Sequence, residues 1–228
     1  MISLSNRLQM VASLIPPSAV VADVGTDHGY LPVWLLQSGR ARRVLASDIH
    51  AGPLRRARQT AAEYAVEEQI EFALCDGLQF PQAERAETIV IAGMGGETMI
   101  SILRMAPWTR QGRHIILQPQ SKRRALTAWL QAAGYTLQTA RLCEDGGMLY
   151  HALAAFGGAP AEKTTAEALL FASHDPLLPQ FLAAEEARLL RAIEGMSRAE
   201  ARPMCAALTD AREELERIRR YKEAVTAW

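Results

Sequence analysis

Five short apolar runs, each followed by a segment with helical spacing, fill most of the first 133 residues. Residues 5–15 read as an opening helix with Leu8, Val11, Ala12 and Ile15 on one face, stopped by Pro16 and Pro17. Strand-like runs follow at 19–23, 44–48, 70–74, 88–92 and 114–117, separated by helical patterns at 32–37, 52–66 and 96–105. A further helix at 121–133 closes on Gly134. Alternation of this kind builds βαβ units, and so a parallel sheet covered on both faces. The pattern then breaks. Runs 136–143 and 148–156 are joined by Glu144-Asp145-Gly146-Gly147, a β-hairpin signal. The expected fold is therefore α/β, with a seven-stranded Rossmann-like sheet whose last strands are antiparallel.

Gly157-Gly158-Ala159-Pro160 reads as a linker, placing one domain at 1–158 and a second at 159–228. The second is helical. Met204, Leu208, Ala211, Leu215, Ile218, Lys222 and Val225 recur in steps of four and three, a heptad seam. Leu182, Leu189, Ile193 and Met196 make a similar stripe upstream, with residues 198–203 between the two. This predicts a C-terminal coiled-coil-like helical hairpin. It could be a protruding arm, a hairpin packed on the main domain, or a dimerisation element; a monomer is expected over a homodimer.

Charge excludes little. Lys+Arg and Asp+Glu number 25 each, and a basic patch can coexist with a neutral total. Cys75, Cys143 and Cys205 have neither metal-ligand nor redox spacing and read as buried thiols of a cytoplasmic protein. No signal peptide or membrane span is expected, since no apolar run nears the ~20 residues a bilayer requires.

The chemistry concentrates where strands end. The first strand runs into Asp23-Val24-Gly25-Thr26-Asp27-His28-Gly29. A dinucleotide site would read G-x-G-x-x-G, so that bare backbone admits a pyrophosphate. Here the spacing is D-x-G-x-x-x-G, and Asp27 would repel a phosphate. A cationic cofactor without phosphate fits instead, which points to S-adenosylmethionine and to a class I methyltransferase sheet, whose last strands are antiparallel. Asp48 ends the second strand, 23 residues after Gly25, where an acidic side chain accepts hydrogen bonds from a ribose diol. Asp76, followed by Gly77 and Leu78, ends the third strand where methyltransferases bind the adenine amino group. Thr26, His28, Ile49, Gly93, Met94 and Gly95 complete the expected cofactor shell. The fourth strand leads into Ile91-Ala92-Gly93-Met94-Gly95-Gly96 with no Asn-Pro-Pro-Tyr-type motif, which disfavours transfer to an exocyclic amine.

Leu4-Ser5-Asn6-Arg7-Leu8, the run from Asp23 to Pro32, Ile91–Gly96 and Leu117-Gln118-Pro119-Gln120 together resemble the bacterial tRNA (adenine-22) N1-methyltransferases. The resemblance spans nearly the whole chain. It implies a class I fold with a coiled-coil-like C-terminal part, a place for Arg7 in the cofactor site, and methyl transfer to N1 of an adenine in the D-arm of tRNA. Gln120 stands where the family often has Asn, and its longer amide shifts the donor and acceptor.

Adenine N1 carries an in-plane lone pair and needs no prior deprotonation, so proximity and orientation could supply most of the catalysis, up to ~7–11 kcal/mol in favourable cases. Asp27 could stabilise the cationic product, and His28 could orient the base or merely fix its loop. Gln118 and Gln120 could read the adenine edge or satisfy loop backbone. Candidate phosphate contacts are Lys122, Arg123 and Arg124, with Arg219 and Arg220 in the C-terminal part, although the glutamates around the last two also fit helix charge pairs. Arg55, Arg56 and Arg58 lie farther away and could be further phosphate contacts or only a solvated helix face. No metal site is expected. Competing readings are a small-molecule methyltransferase of this fold and an inactive adaptor.

Overall fold

A computed structural model describes residues 1–158, 163–198 and 206–228. The chain divides into two compact units, Met1–Ala166 and Glu167–Trp228.

The first unit opens with α1 (Asn6–Leu14), where the Ser5 hydroxyl accepts from the Leu8 amide at 3.4 Å and Pro16 follows the C-cap. Its sheet contains β1 (Ser18–Val24), β2 (Ala41–Asp48), β3 (Ile70–Leu74), β4 (Thr88–Gly95), β5 (His114–Ser121), β6 (Tyr135–Asp145) and β7 (Met148–Gly157). Spatial order is β3-β2-β1-β4-β5-β7-β6. The first five strands are parallel; β7 runs antiparallel to both β5 and β6. The helices α2 (Tyr30–Gln37), α3 (Ala51–Glu63), α4 (Gly96–Met105) and α5 (Arg123–Ala132) make the crossovers. Val21, Val44, Val90 and Ile116 in the central strands are fully buried. That burial explains why the strands read as continuous apolar runs rather than alternating ones.

The order reverses at β1 and β4: β2 and β3 extend to one side, β5 onward to the other. The strand ends beside such a reversal leave a crevice between crossovers that depart in opposite directions.

Several boundaries differ from the sequence reading. The expected helix 52–66 ends at Glu63, because Ala65 takes a left-handed φ of 54° and turns the chain towards β3. Strand β4 runs on to Gly95 and β5 to Ser121, paired through register shifts at Met94. The expected helix at 121–133 accordingly begins at Arg123. The hairpin loop is Gly146-Gly147 alone, with φ of 57° and 74°; positive values at both positions suit a tight turn whose twist matches the strands.

In the second unit, α6 (Ala166–Ala172), which begins at the unit boundary, precedes α7 (Leu178–Arg198) and α8 (Ala206–Val225). Glu186 meets Arg219 and Lys222, whereas Arg188 approaches Glu214, so α7 and α8 run antiparallel. Leu208, Ala211, Leu215, Ile218 and Val225 of the heptad seam are buried, as are Leu182 and Leu189 on α7. Lys222 occupies its seam position by reaching Glu186. Met204, Cys205, Pro203 and the linker residues Ala159 and Pro160 lie outside the described residues. Among those described, no helix is long and apolar enough to cross a membrane.

Candidate functional site: a cleft at the strand ends

The ends of β1, β2 and β4, the turns after β1, β2 and β3, and one face of α4 line a cleft of about 560 Å³, a size typical of small-ligand sites. Its β1–β2 half is stitched together through backbone. The amides of Gly25 and Thr26 both donate to the Ser47 carbonyl, at 2.8 and 3.0 Å. Asp48 ties the next residues: its Oδ2 accepts from the Asp27 amide at 3.4 Å and its Oδ1 from the His50 amide at 2.8 Å. The Cys75 amide donates to the Asp48 carbonyl at 3.0 Å, bringing Cys75, Asp76 and Gly77 to the same wall. Gly25 has φ of 74°, and a Cβ there would stand 2.3 Å from the Met94 methyl. The positive φ favours glycine at this turn, over which Met94 closes.

Asp23 lies in the wall, 5% exposed. Burial pushes its carboxyl from 3.8 up to about 6; the nearby Thr26 hydroxyl opposes the shift and the Asp48 charge adds to it. Thr26 Oγ1 is itself buried and completes no hydrogen bond of normal geometry, so its influence on Asp23 is a close polar contact rather than a formed bond.

The β4–β5 half is organised through Arg7. Its Nη1 donates to Gln118 Oε1 at 3.0 Å, and the same oxygen accepts from the Gly93 amide at 3.2 Å. The Arg7 amide donates to Asp145 Oδ2 at 3.2 Å and Asn6 Nδ2 to the Glu144 carbonyl at 3.0 Å, so the hairpin tip caps the start of α1. The Arg7 guanidinium also lies 5.7 Å from the Tyr150 ring centre. Gln120, exposed, stands on the cleft edge beside Gly93.

At the mouth, Asp27 takes φ of 49° and remains solvent-exposed. Its Oδ1 lies 3.8 Å from His28 Nε2 and 3.7 Å from Arg56 Nη2. The His28 ring stacks on Tyr30, with centres 5.5 Å apart.

Most residues singled out in the sequence therefore converge. Arg7, Asp23, Gly25, Thr26, Asp27, His28, Asp48, Ile49, Asp76, Gly77, Gly93, Met94 and Gln120 all line the cleft. Three of the expected set do not. Leu78 is buried after the turn at Gly77. Gly95 faces Ser121 on β5. Gln118 is 1% exposed, with its amide engaged by Arg7, Gly93 and the Pro119 carbonyl. Lys122, Arg123 and Arg124 lie just beyond Gln120 and outside the cleft; Lys122 approaches Glu97 at 3.8 Å. Arg219 is paired with Glu186 in the second unit. Cys75 and Cys143 are free thiols, half-buried rather than fully buried.

Sequence reading missed His50, Pro53, Cys75, Thr98 and Ile102 in the lining, and Arg56 at its mouth. Thr98 and Ile102 are four apart on α4, and Pro53 and Arg56 three apart on α3, so each pair shares a helix face. That spacing was visible, but which face meets the cleft was not.

A sheet in this order, with carboxylates at or just past the ends of its first three strands and a glycine-rich end to its fourth, defines the Rossmann-like methyltransferase class. Residues 4–153 match the family model described as a methyltransferase domain, and the chain belongs to that family. A tRNA (adenine(22)-N(1))-methyltransferase of Bacillus subtilis strain 168 is 34% identical over 158 residues. The match covers 69% of this chain and 66% of the relative, just under two thirds of its length. The crystal structure of the B. subtilis M1A22 tRNA methyltransferase superposes with a TM-score of 0.83 at 26% identity, covering 97% of this chain and 100% of that one. A Streptococcus pneumoniae protein in complex with S-adenosyl-L-methionine does so at 0.81 and 26%, covering 96% and 100%.

Proposed function

We propose that the protein transfers a methyl group from S-adenosylmethionine to N1 of adenine 22 in the D-arm of tRNA, in the cytoplasm. The observation that carries the reading is the convergence of Asp23, Asp48 and Asp76 on one cleft whose opposite edge is Gly93 and Gln120. The similarity to the B. subtilis enzyme supports the substrate. The donor set fits the cofactor. Its acidic wall suits a cation, and the hydroxyl of the lining residue Thr26 completes no hydrogen bond of normal geometry. Asp48 would accept from the ribose hydroxyls, Asp76 from the adenine amino group, and Asp23 and Arg7 would hold the charged amino-acid end. Ile49, Gly77 and Met94 would pack around it. The bound cofactor supplies an electrophilic methyl on a positively charged sulfur.

The residues of the chain then position the acceptor. Gln120 presents an amide to the base edge, and Gln118 fixes the Gly93 backbone that the base must pass. Asp27 sets a carboxylate near the positive charge that develops on N1-methylated adenine, and His28 offers a ring face for stacking. Extruding the nucleotide costs a few kcal/mol, which phosphate contacts must offset. Lys122, Arg123 and Arg124 beside the cleft, and Arg219 and Arg220 on α8, are the assigned contacts. In this reading residues 1–158 bind the cofactor and 159–228 assist RNA binding; the protein acts as a monomer, without a metal.

The test is labelled methyl transfer to an unmodified tRNA transcript carrying adenine at position 22, followed by mapping of the product. N1-methyladenosine at that position, lost when the adenine is replaced by guanine, is expected. Methylation of small metabolites but not of tRNA would refute the proposal. Cofactor binding with neither activity would favour an adaptor.

A further inference from the structure

The α3 rim of the cleft carries positive charge that cofactor binding leaves unused. Helix α3 has Arg55, Arg56 and Arg58 and no acidic residue before Glu63. Their surroundings differ. The Arg58 guanidinium lies over the Phe72 ring, 4.5 Å from its centre, and is held on the helix–sheet surface. Arg55 is exposed. Arg56 follows one turn after Pro53, which lines the cleft, and its Nη2 stands 3.7 Å from Oδ1 of Asp27, also a lining residue. Both partners of that ion pair are largely exposed, at 48% and 68%, so solvent screens it and it adds little to stability. Beside it stands the His28–Tyr30 ring stack, with Tyr30 45% exposed.

A guanidinium at the mouth adds nothing to the binding of a sulfonium and an ammonium by acidic groups, and Arg7 already stands in the cleft for the carboxylate of the amino-acid end. The guanidinium at the mouth suits an anionic substrate that enters past it, and the adjacent ring stack suits a planar base. A phosphate, with several acceptor oxygens, takes the planar guanidinium fork bidentately and competes well against one exposed carboxylate at 3.7 Å. We propose that Arg56 grips the RNA backbone phosphate next to the extruded adenosine, and that Asp27 holds Arg56 in place until RNA arrives. Handing Arg56 to the phosphate frees the Asp27 carboxylate at the point where the base enters. RNA thus contacts both rims, α3 on one side and the start of α5 on the other. The inference rests on the RNA-methylation reading and adds to it a specific residue and an exchange of partners.

The experiment measures affinity of the full-length protein for the same unmodified tRNA transcript across a salt series, with S-adenosylhomocysteine present. Arg56→Gln should weaken binding about tenfold at low salt and make the log–log salt slope shallower by about 0.7–0.9, the contribution of one phosphate. Arg56→Lys should restore most of that slope. Asp27→Asn should tighten RNA binding by a factor of up to about five, the worth of an exposed pair, and only when Arg56 is present. Unchanged S-adenosylmethionine affinity in Arg56→Gln shows that the cleft remains folded. A wild-type slope and affinity in Arg56→Gln would overturn the inference while leaving RNA methylation standing. Failure of the wild-type protein to bind the transcript would overturn both.

Discussion

The two halves of the cleft are built differently. On the β1–β2 side, backbone amides of four residues are fixed: Gly25 and Thr26 to the Ser47 carbonyl, Asp27 and His50 to the Asp48 carboxylate. On the β4–β5 side, the strands stay paired to Ser121, but side-chain anchoring of the cleft edge ends at the buried Gln118, and the Gln120 and Lys122 side chains stand exposed beyond it. The first half is pre-shaped, as suits a small ligand of constant structure. The second leaves polar groups exposed on an open edge, as suits a macromolecule that must enter, present one base and leave. Preorganisation lowers the cost of binding only where the same shape is always bound.

The largest effect should come from breaking the fixed half. Asp48→Ala removes a charged acceptor from two backbone amides, and such bonds contribute about 1.5–3 kcal/mol each. Cofactor affinity measured by calorimetry should fall by about a hundredfold or more; a change below about threefold would mean that the stitching is incidental.

Asp23 gives the same half a pH signature. Its folded carboxyl is raised to about 6 from 3.8, so the folded protein without cofactor binds the extra proton. The contribution of Asp23 to the stability of that form should therefore decline as pH rises from about 4 through 6, by up to roughly 3 kcal/mol, read in urea unfolding as the pH dependence of the stability difference between wild type and Asp23→Asn. Affinity for the cationic cofactor should move the other way, rising through pH 6 as Asp23 ionises. His151 opposes the stability trend. Burial, helped by the Arg123 charge, lowers its imidazole to about 3 from 6.5, so its contribution weakens as pH falls below the unfolded value of 6.5.

The glutamines sharpen the contrast on the other side. Gln118→Ala leaves Arg7 and the Gly93 amide without their shared acceptor and should cost about 1–3 kcal/mol of stability, read from denaturant midpoints. Gln120→Ala should leave stability within about 0.5 kcal/mol. It should instead lower kcat/KM for tRNA by roughly tenfold, the loss of about one hydrogen bond to the base. Equal stability losses in the two variants would erase the distinction between the halves. Smallest of all, Arg220→Ala on α8 should lower tRNA affinity by no more than about threefold and flatten the salt slope by less than one phosphate.

Much of the fold was legible because its signals are local. Short apolar runs bounded by helical patterns marked β1 to β5, and the Asp-Gly-Gly loop marked the antiparallel end. Boundaries failed where tertiary pairing overrode local preference. Gly93 to Gly95 have poor strand propensity yet continue β4, because β5 lies alongside and supplies partners through a register shift. Ser121, which looks like a helix start, stays in β5 because it pairs with Gly95.

What the sequence determined by itself is the chemistry of the site: an acidic turn unsuited to a pyrophosphate, a carboxylate at each of three strand ends, a glycine-rich acceptor edge. These are statements about residue type at strand ends, and parallel topology brings such ends together. Which side chains remain available was decided only by tertiary structure. Gln118 and Gln120 differ by two residues and carry the same amide, yet one is buried against Arg7 and the other faces the cleft. Arg56, which the sequence placed farther from the site, reaches the Asp27 carboxylate at the mouth because Asp48 binds both the β1 turn and the start of α3. Such contacts link residues distant along the chain, and no local pattern encodes them.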